Sequence, residues 1–209
     1  MPRLIYGTAW KKEATIQLVI KTILNGFRGI DTAYQPKHYT YEDLVGQALV
    51  ELQTKYNILR KDLFIQTKFT SINGQDQSKP LPYNARSSLA ERLYDDARHK
   101  PCVIQNRFYA ETNFDGEITR FCREKNIYYQ SFWTLTANPQ ILEHPLLQQL
   151  AEARQGTLAQ VFFRFLIYIG LTPLTGTTDE KHVKEDQQVL HWPSLDHDSI
   201  DKLKKLIEN

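Results

Sequence analysis

Residues 29–49 read GIDTAYQPKHYTYEDLVGQAL, and this stretch joins an apolar strand pattern to a helical one. Gly29 and Ile30 suit a buried strand, whereas Asp31 places an acid where burial disfavours a charge. From Glu42 onward the apolar residues recur with helical spacing. An acid at the end of a buried strand costs free energy unless another group pairs with it, so the rest of the chain should supply a partner for Asp31.

Strand and helix patterns alternate along the whole chain. Strand patterns cover residues 4–6, 27–33, 62–69, 101–109, 127–135 and 171–176. Helical patterns cover residues 13–25, 42–56, 87–99, 111–125, 139–155, 158–169, 180–188 and 199–208, and Thr157 with Gln160 predicts a capping box. This alternation predicts an α/β protein with a parallel sheet covered by helices.

Two α/β architectures fit such a pattern, the open doubly wound sheet and the (β/α)8 barrel. No G-x-G-x-x-G fingerprint of a dinucleotide-binding open sheet occurs in the chain. In a barrel the active residues gather at the carboxyl ends of the strands. Unusual residues fall at these ends, namely Trp10, Asp31, Lys68, Gln105, and Phe132 or Trp133. The pattern therefore favours a (β/α)8-type TIM barrel.

Composition indicates an ordinary globular protein, predicted as a single domain over residues 1–209. Hydrophobic residues make up 41% and charged residues 24%, and the net charge of +2 gives no reason to expect nucleic acid or a membrane as partner. Two cysteines, Cys102 and Cys122, fit a reducing compartment, and both are expected to be buried. The N-terminal residues lack the apolar stretch of a signal peptide, which predicts a cytoplasmic location.

Lys68 ends the third strand pattern and is the expected partner of Asp31. A facing Asp and Lys favour each other's charged form. A cation held beside a tyrosine hydroxyl would lower the pKa of that tyrosine and make it a proton donor near neutral pH. The alternative interpretation is a structural ion pair, and spacing alone leaves both open.

Several motifs in order closely resemble the aldo-keto reductase family. They are GFRGIDTA, Tyr39-x-x-Glu42-x-x-Val45-Gly46, DLFIQTK, VIQNRFY, YYQSFWTL, GTLAQVFFRF and TPLTGTT. The likeness runs from Leu4 to about Leu190, and the variants DTAYQPKHY and QNRFYAET resemble a fungal-type branch. The resemblance implies a barrel enzyme that reduces a small aldehyde or ketone with NADPH, with NAD as an alternative cofactor and a homo-oligomer as an open question.

The resemblance also implies roles for individual residues. Asp31, Tyr39 and Lys68 match the catalytic residues. Tyr39 is selected by the Glu-x-x-Val-Gly that follows it, across an insertion near residues 35–37, and Tyr34 is the second candidate. The cofactor-binding matches are Gly7, Thr8, Asp31, Gln105, Phe132, Thr177, Thr178, His182, Glu185 and Asp186. The substrate-binding candidates are Trp10, Tyr39 and Trp133, and no metal site is expected.

Two departures from the family accompany these matches. The family's catalytic histidine has no counterpart, and neither do its fourth and fifth strands, so an internal deletion near residues 86–89 is predicted. An incomplete barrel of about six strands would remain, whereas a complete one has eight strands and about 250 residues. Gly176 stands where the family has a lysine for the 2′-phosphate. A noncatalytic remnant or partner-binding protein is therefore the alternative function.

Overall fold

The computed structural model describes residues 1–33, 42–68, 94 and 100–208. The chain divides into two compact units, the first comprising residues 1–89 and 176–183 and the second residues 90–175 and 184–209. The described residues contain six strands, three in each unit. Within each unit, neighbouring strands pair in parallel. The six-stranded α/β arrangement expected from the sequence is thus confirmed. The predicted deletion point near residues 86–89 lies outside the described residues, as does the helix predicted over residues 87–99 except at Tyr94.

The first unit is built on three parallel strands and two helices. The strands are β1 (Ile5–Gly7), β2 (Gly29–Asp31) and β3 (Phe64–Gln66), with β2 between the other two. Helices α1 (Thr15–Leu24) and α2 (Glu42–Tyr56) connect them, and a 3₁₀ turn (Arg60–Asp62) precedes β3. The register sets Gly7 beside Asp31 and Asp31 beside Gln66, which aligns the carboxyl ends of the three strands.

Two glycines allow the close packing of the first unit. Gly26 follows α1 with a φ of 102°, the left-handed conformation expected of a residue that ends a helix. A Cβ at Gly29 would lie 3.0 Å from Cγ1 of Ile5 and 3.1 Å from Cγ of Pro2, so a larger residue would require these side chains to shift. The buried core that results contains mainly aliphatic residues, including Leu4, Val19, Ile23, Ile30, Val45 and Leu52.

The second unit also contains three parallel strands. They are β4 (Val103–Arg107), β5 (Tyr128–Phe132) and β6 (Thr172–Thr175), with β5 in the middle. Its helices are α3 (Gly116–Glu124), α4 (Pro139–Leu142), α5 (Pro145–Ala153), α6 (Leu158–Tyr168) and α8 (His197–Lys204). Helix α7 (Glu180–Gln188) begins in the first unit and ends in the second.

Helix α6 provides much of the core of the second unit. Val161, Phe162 and Phe165 are fully buried on it, and Phe108 and Leu147 belong to the same cluster. The predicted capping box begins this helix: the backbone N–H of Gln160 donates to Oγ1 of Thr157 at 3.2 Å, and the Thr157 N–H donates to the Gln160 side chain at 2.9 Å.

Three sequence-based expectations for the second unit were wrong in detail. The helix predicted over residues 111–125 begins only at Gly116, because residues 113–115 adopt left-handed backbone angles. The helix predicted over residues 139–155 breaks at His144, and Pro145 starts a new one. Cys102 is exposed, whereas Cys122 is buried as expected.

No helix within the described ranges combines the length and the apolar composition needed to cross a membrane.

Candidate active site

The Asp31 carboxylate is the buried centre of the candidate site in the first unit. Its side chain is fully shielded from solvent at the carboxyl end of β2. Oδ2 accepts a hydrogen bond from Nζ of Lys68 at 2.6 Å, and Oδ1 accepts one from Nε2 of Gln66 at 2.6 Å. Both carboxylate oxygens therefore have strong donors, which offsets the cost of burying the charge.

Lys68 approaches this carboxylate from the segment that follows β3. Its ammonium also donates to the backbone carbonyl of Thr32 at 3.1 Å. Burial lowers the pKa of Lys68, while the charge of Asp31 and the hydrogen bond to it act in the opposite direction. The result is a positive charge that is partly removed from water and held in one orientation.

The first loop joins this site from β1. The backbone N–H and the hydroxyl of Thr8 both donate to the carbonyl oxygen of Asp31, each at 3.0 Å. Gly7 is the residue of β1 that lies beside Asp31 in the register. Trp10 is 61% exposed with a φ of 64°, so its large ring extends into solvent from a left-handed position. These three candidate residues lie at the same strand ends as Asp31 and Lys68.

Tyr39 and Tyr34, the two candidates for the proton-donating tyrosine, lie outside the described residues. Their assignment stays a prediction.

A second group of candidate residues lines the strand ends of the second unit. Gln105 and Gln130 are paired in the register of β4 and β5, and Nε2 of Gln105 donates to Oε1 of Gln130 at 2.9 Å. Gln130 is fully buried, and Phe132 follows it by two residues. Because alternate residues of a strand share a face, Phe132 and the glutamine pair face the same side of the sheet.

Trp133 follows β5 directly and is stacked on a cation. The guanidinium carbon of Arg107 lies 4.2 Å from the centre of the Trp133 ring and 5.2 Å from that of Tyr109. Trp133 is 51% exposed and has a φ of 57°. An open depression of about 540 Å³ lies here, lined by Arg107, Tyr109, Glu111, Trp133, Thr136 and Ala137.

The segment before α7 contains the candidate phosphate-binding residues Thr177 and Thr178. The Tyr6 hydroxyl donates to the carbonyl of Thr177 at 2.9 Å, and burial raises the pKa of Tyr6, so this phenol stays protonated. The ammonium of Lys11 donates to the carbonyl of Gly176 and lies 5.9 Å from the Tyr6 ring centre. A cation from the first loop therefore stands beside Gly176, the position where the resemblance places a lysine.

The remaining candidates of this segment have different surroundings. His182 is exposed on α7. The backbone carbonyl of Glu185 accepts a hydrogen bond from Nε2 of Gln160 at 2.8 Å. The Asp186 carboxylate is buried and accepts a hydrogen bond from the Thr175 hydroxyl at 2.6 Å, which ties α7 to the end of β6. The observed contacts of Glu185 and Asp186 are thus within the protein.

Three residues of these sites were not identified from the sequence. Gln66 shares a face with Lys68 because it precedes it by two residues in an extended segment, and that spacing was a usable signal. Gln130 and Lys11 had no such signal, because their partners Gln105 and Gly176 are distant in the chain. No cluster of side chains suited to a metal ion occurs within the described part of the chain.

The comparisons with known proteins agree with this architecture. No family model matches the chain. The chain is 23% identical over 241 aligned positions to the uncharacterized oxidoreductase YtbE of Bacillus subtilis, covering 93% of this chain and 84% of that protein. The alignment is longer than the 209 residues of this chain, so the relative has residues that this chain lacks.

Solved structures extend the likeness to the fold. An aldo/keto reductase from Brucella melitensis superposes with a TM-score of 0.80 and 21% identity, covering 99% of this chain and 95% of the other. A Bombyx mori aldo-keto reductase in complex with NADP gives a TM-score of 0.80 and 16% identity, covering 98% and 89%. With six strands in the described residues, this fold is an incomplete (β/α)8 barrel. The chain is therefore similar in sequence to a curated oxidoreductase and in fold to aldo-keto reductases.

Proposed function

We propose that this protein is an oxidoreductase that reduces an aldehyde or ketone to the alcohol with NADPH, or with NADH as the alternative cofactor. The observation that carries the proposal is the buried Asp31 carboxylate held 2.6 Å from the Lys68 ammonium at the carboxyl ends of adjacent parallel strands. In a (β/α)8 protein this end of the strands carries the chemistry. The relatives in both comparisons are oxidoreductases, which supports the same class of reaction.

In this proposal Lys68 and Asp31 prepare a tyrosine to donate a proton. Asp31 holds the ammonium in place through a charge-assisted hydrogen bond and keeps it charged against the effect of burial. A cation that is partly removed from water stabilises a neighbouring phenolate more strongly than one in bulk water. We assign that phenol to Tyr39, which protonates the carbonyl oxygen of the substrate. Since the family's histidine has no counterpart, the proton transfer depends on this tyrosine and Lys68.

The cofactor, when bound, supplies the hydride for the carbonyl carbon. The residues present fit a nicotinamide dinucleotide at two places. Phe132 offers a ring for stacking on the same face as the amide pair Gln105–Gln130. Before α7, the hydroxyls of Thr177 and Thr178 are donors for a phosphate group, with the Lys11 ammonium beside Gly176.

Tyr39→Phe is the direct test of the proposal. It removes the proton donor and keeps the ring, so carbonyl reduction followed at the nicotinamide absorbance should fall about 10²–10⁴-fold. Tyr34→Phe is the matched control and should retain activity. Equal activity in wild type and Tyr39→Phe would refute the assignment. Absence of reduction with every carbonyl tested, together with no saturable binding of NADPH or NADH, would instead support the noncatalytic alternative.

A further inference from the structure

We propose that Arg107 forms a carboxylate-binding site with Trp133 and Tyr109, and that the carbonyl substrate therefore carries a carboxylate group. The site itself depends only on the geometry of the second unit, whereas the statement about the substrate rests on the proposed function.

Among the described residues, the Arg107 guanidinium has no hydrogen-bond acceptor. Its Nε–H is shielded from solvent and has no hydrogen-bond partner. Within the described part of the chain, no acidic side chain forms an ion pair with it, and its recorded contacts are the two aromatic rings. The terminal N–H groups of this partly exposed side chain border the depression, so an oxyanion there can accept from them and compensate the charge.

The aromatic contacts leave the guanidinium suited to a planar anion. Trp133 covers one face at 4.2 Å, and stacking of this kind uses the face of the guanidinium. The N–H groups of the guanidinium lie in its plane and point outward from its edge. The two oxygens of a carboxylate can accept from them in a bidentate arrangement. The open depression of about 540 Å³ beside these rings is large enough for a small organic acid.

Hydrogen bonds of Asn138 connect the two chain segments that border this depression. The buried amide of Asn138 donates to the carbonyl of Phe108 at 2.7 Å and to that of Thr134 at 2.9 Å, which ties the end of β4 to the turn after β5. Trp133 is held at a φ of 57°, a strained conformation for a bulky residue. Such strain is typical of residues positioned for function.

The position in the sheet connects this site to the proposed reaction. Arg107 lies beside Phe132 in the register and two residues after Gln105 on the same strand face. Phe132 and Gln105 are the residues proposed to hold the nicotinamide, so an anion on Arg107 would lie near the reacting end of the cofactor.

The local charge favours a monoanionic carboxylate over a phosphate dianion. Arg107 is the cation among the residues that line the depression, and Glu111 adds a negative charge at the rim. A phosphate dianion would be repelled more strongly by Glu111 and would be left with one compensating positive charge. A carboxylate is neutralised by one guanidinium.

Calorimetric titration of the whole protein with benzoate tests the site without any catalysis. Benzoate should bind to the wild type, benzamide should bind more weakly, and phenyl phosphate should not bind more tightly than benzoate. Arg107→Met should weaken benzoate binding about 10- to 100-fold, the value of a hydrogen bond to a charged group. Arg107→Lys should also weaken benzoate binding, because an ammonium lacks the paired N–H groups of a guanidinium. Glu111→Gln should strengthen benzoate binding, because it removes a negative charge from the rim. The last two variants keep the test decisive if Arg107→Met does not fold.

A kinetic measurement then tests the substrate class. The ratio of kcat/KM for 4-carboxybenzaldehyde to kcat/KM for 4-formylbenzamide should fall about 10- to 100-fold in Arg107→Met. Failure of wild type to bind benzoate, tighter binding of phenyl phosphate, or an unchanged ratio would overturn the inference. Binding of benzoate that needs Arg107, without reduction of any carbonyl, would refute the proposed function and leave the carboxylate site standing.

Discussion

The Lys68 ammonium lies 2.6 Å from Oδ2 of Asp31, yet the two side chains differ in exposure, 32% for the lysine and none for the aspartate. The lysine can therefore reach water if its partner is removed, whereas the aspartate cannot. Because of this difference in exposure, removing the lysine and removing the aspartate should change the free energy of unfolding by different amounts.

Lys68→Met should destabilise the fold more than Asp31→Asn. Lys68→Met removes the cation beside a fully buried carboxylate, and breaking a buried ion pair by removing one partner costs about 3–5 kcal/mol. Asp31→Asn keeps an acceptor for Gln66 and leaves a lysine that can turn to solvent, at about 1–3 kcal/mol. Urea unfolding of both variants measures the difference.

The double variant Asp31→Asn with Lys68→Met is the control for this prediction. It removes both charges, so its loss of stability should be smaller than the sum of the two single losses. Strict additivity would mean that the two residues do not interact in solution.

The lowered pKa of Lys68 predicts a specific dependence of stability on pH. Burial lowers this pKa below the ordinary value of 10.5, so in the window between the lowered pKa and 10.5 the unfolded chain binds more protons than the folded one. Stability linked to Lys68 therefore rises with pH through this window and is lowest below it. The difference in unfolding free energy between wild type and Lys68→Met should grow from neutral pH towards 10.5. A difference that shrinks with pH would contradict the assigned direction.

Lys11 should contribute to the choice of cofactor. Its ammonium stands beside Gly176, where the family resemblance places a lysine for the 2′-phosphate. Lys11→Met should weaken NADPH binding about tenfold, as expected for one charged hydrogen bond, and should leave NADH binding nearly unchanged. Fluorescence titration with both nucleotides measures this. Lys12→Met changes an exposed neighbouring lysine and is the matched control. If Lys11→Met weakened the binding of NADPH and NADH equally, Lys11 would not contact the 2′-phosphate.

The two cysteines should differ sharply in reactivity. Cys102 is exposed, whereas Cys122 is buried and its pKa is raised to about 11, by burial first and by the charge of Asp115 second. Since the thiolate is the reactive form, a thiol reagent at neutral pH should modify one group rapidly and the second only after unfolding. Cys102→Ser should remove the rapid phase. Two rapid equivalents in the native protein would contradict the burial of Cys122.

The contrast between Cys102 and Cys122 shows what the sequence could predict. Elements specified by local patterns were predicted closely, such as α2 at its observed bounds and the capping box at Thr157. The exposure of Cys102 was missed because a strand pattern does not say which face of a strand is covered. The left-handed run at residues 113–115 was missed because a helical periodicity carries no information on backbone strain at its start.

The candidate site was predictable to the extent that its residues end strands. Asp31 and Lys68 were paired from their positions alone, and the structure confirms the contact. The stacking of Arg107 on Trp133 was not predictable, because it joins two strands that are neighbours only after folding. Resemblance to a family could not reveal it either, since it identifies the residues that a family shares.

The two outer strands lead to a prediction about association. Within the described residues, β3 pairs with β2 and β4 pairs with β5, and each has no second strand partner. Strands predicted to be missing from the chain would follow β3 and precede β4. Unpaired N–H and C=O groups on a strand edge are a template for pairing with another chain. Strands suited to an eight-stranded barrel also lack the matching tilt and shear to close with six.

We therefore expect low stability and self-association. The protein should melt below about 65 °C, the upper end for ordinary mesophile domains. Sedimentation velocity over a range of concentrations should show oligomers that dissociate on dilution, and the melting temperature should fall in parallel because association stabilises the folded chain. A monomer at all concentrations that melts above about 65 °C would show that these strand edges are satisfied within one chain.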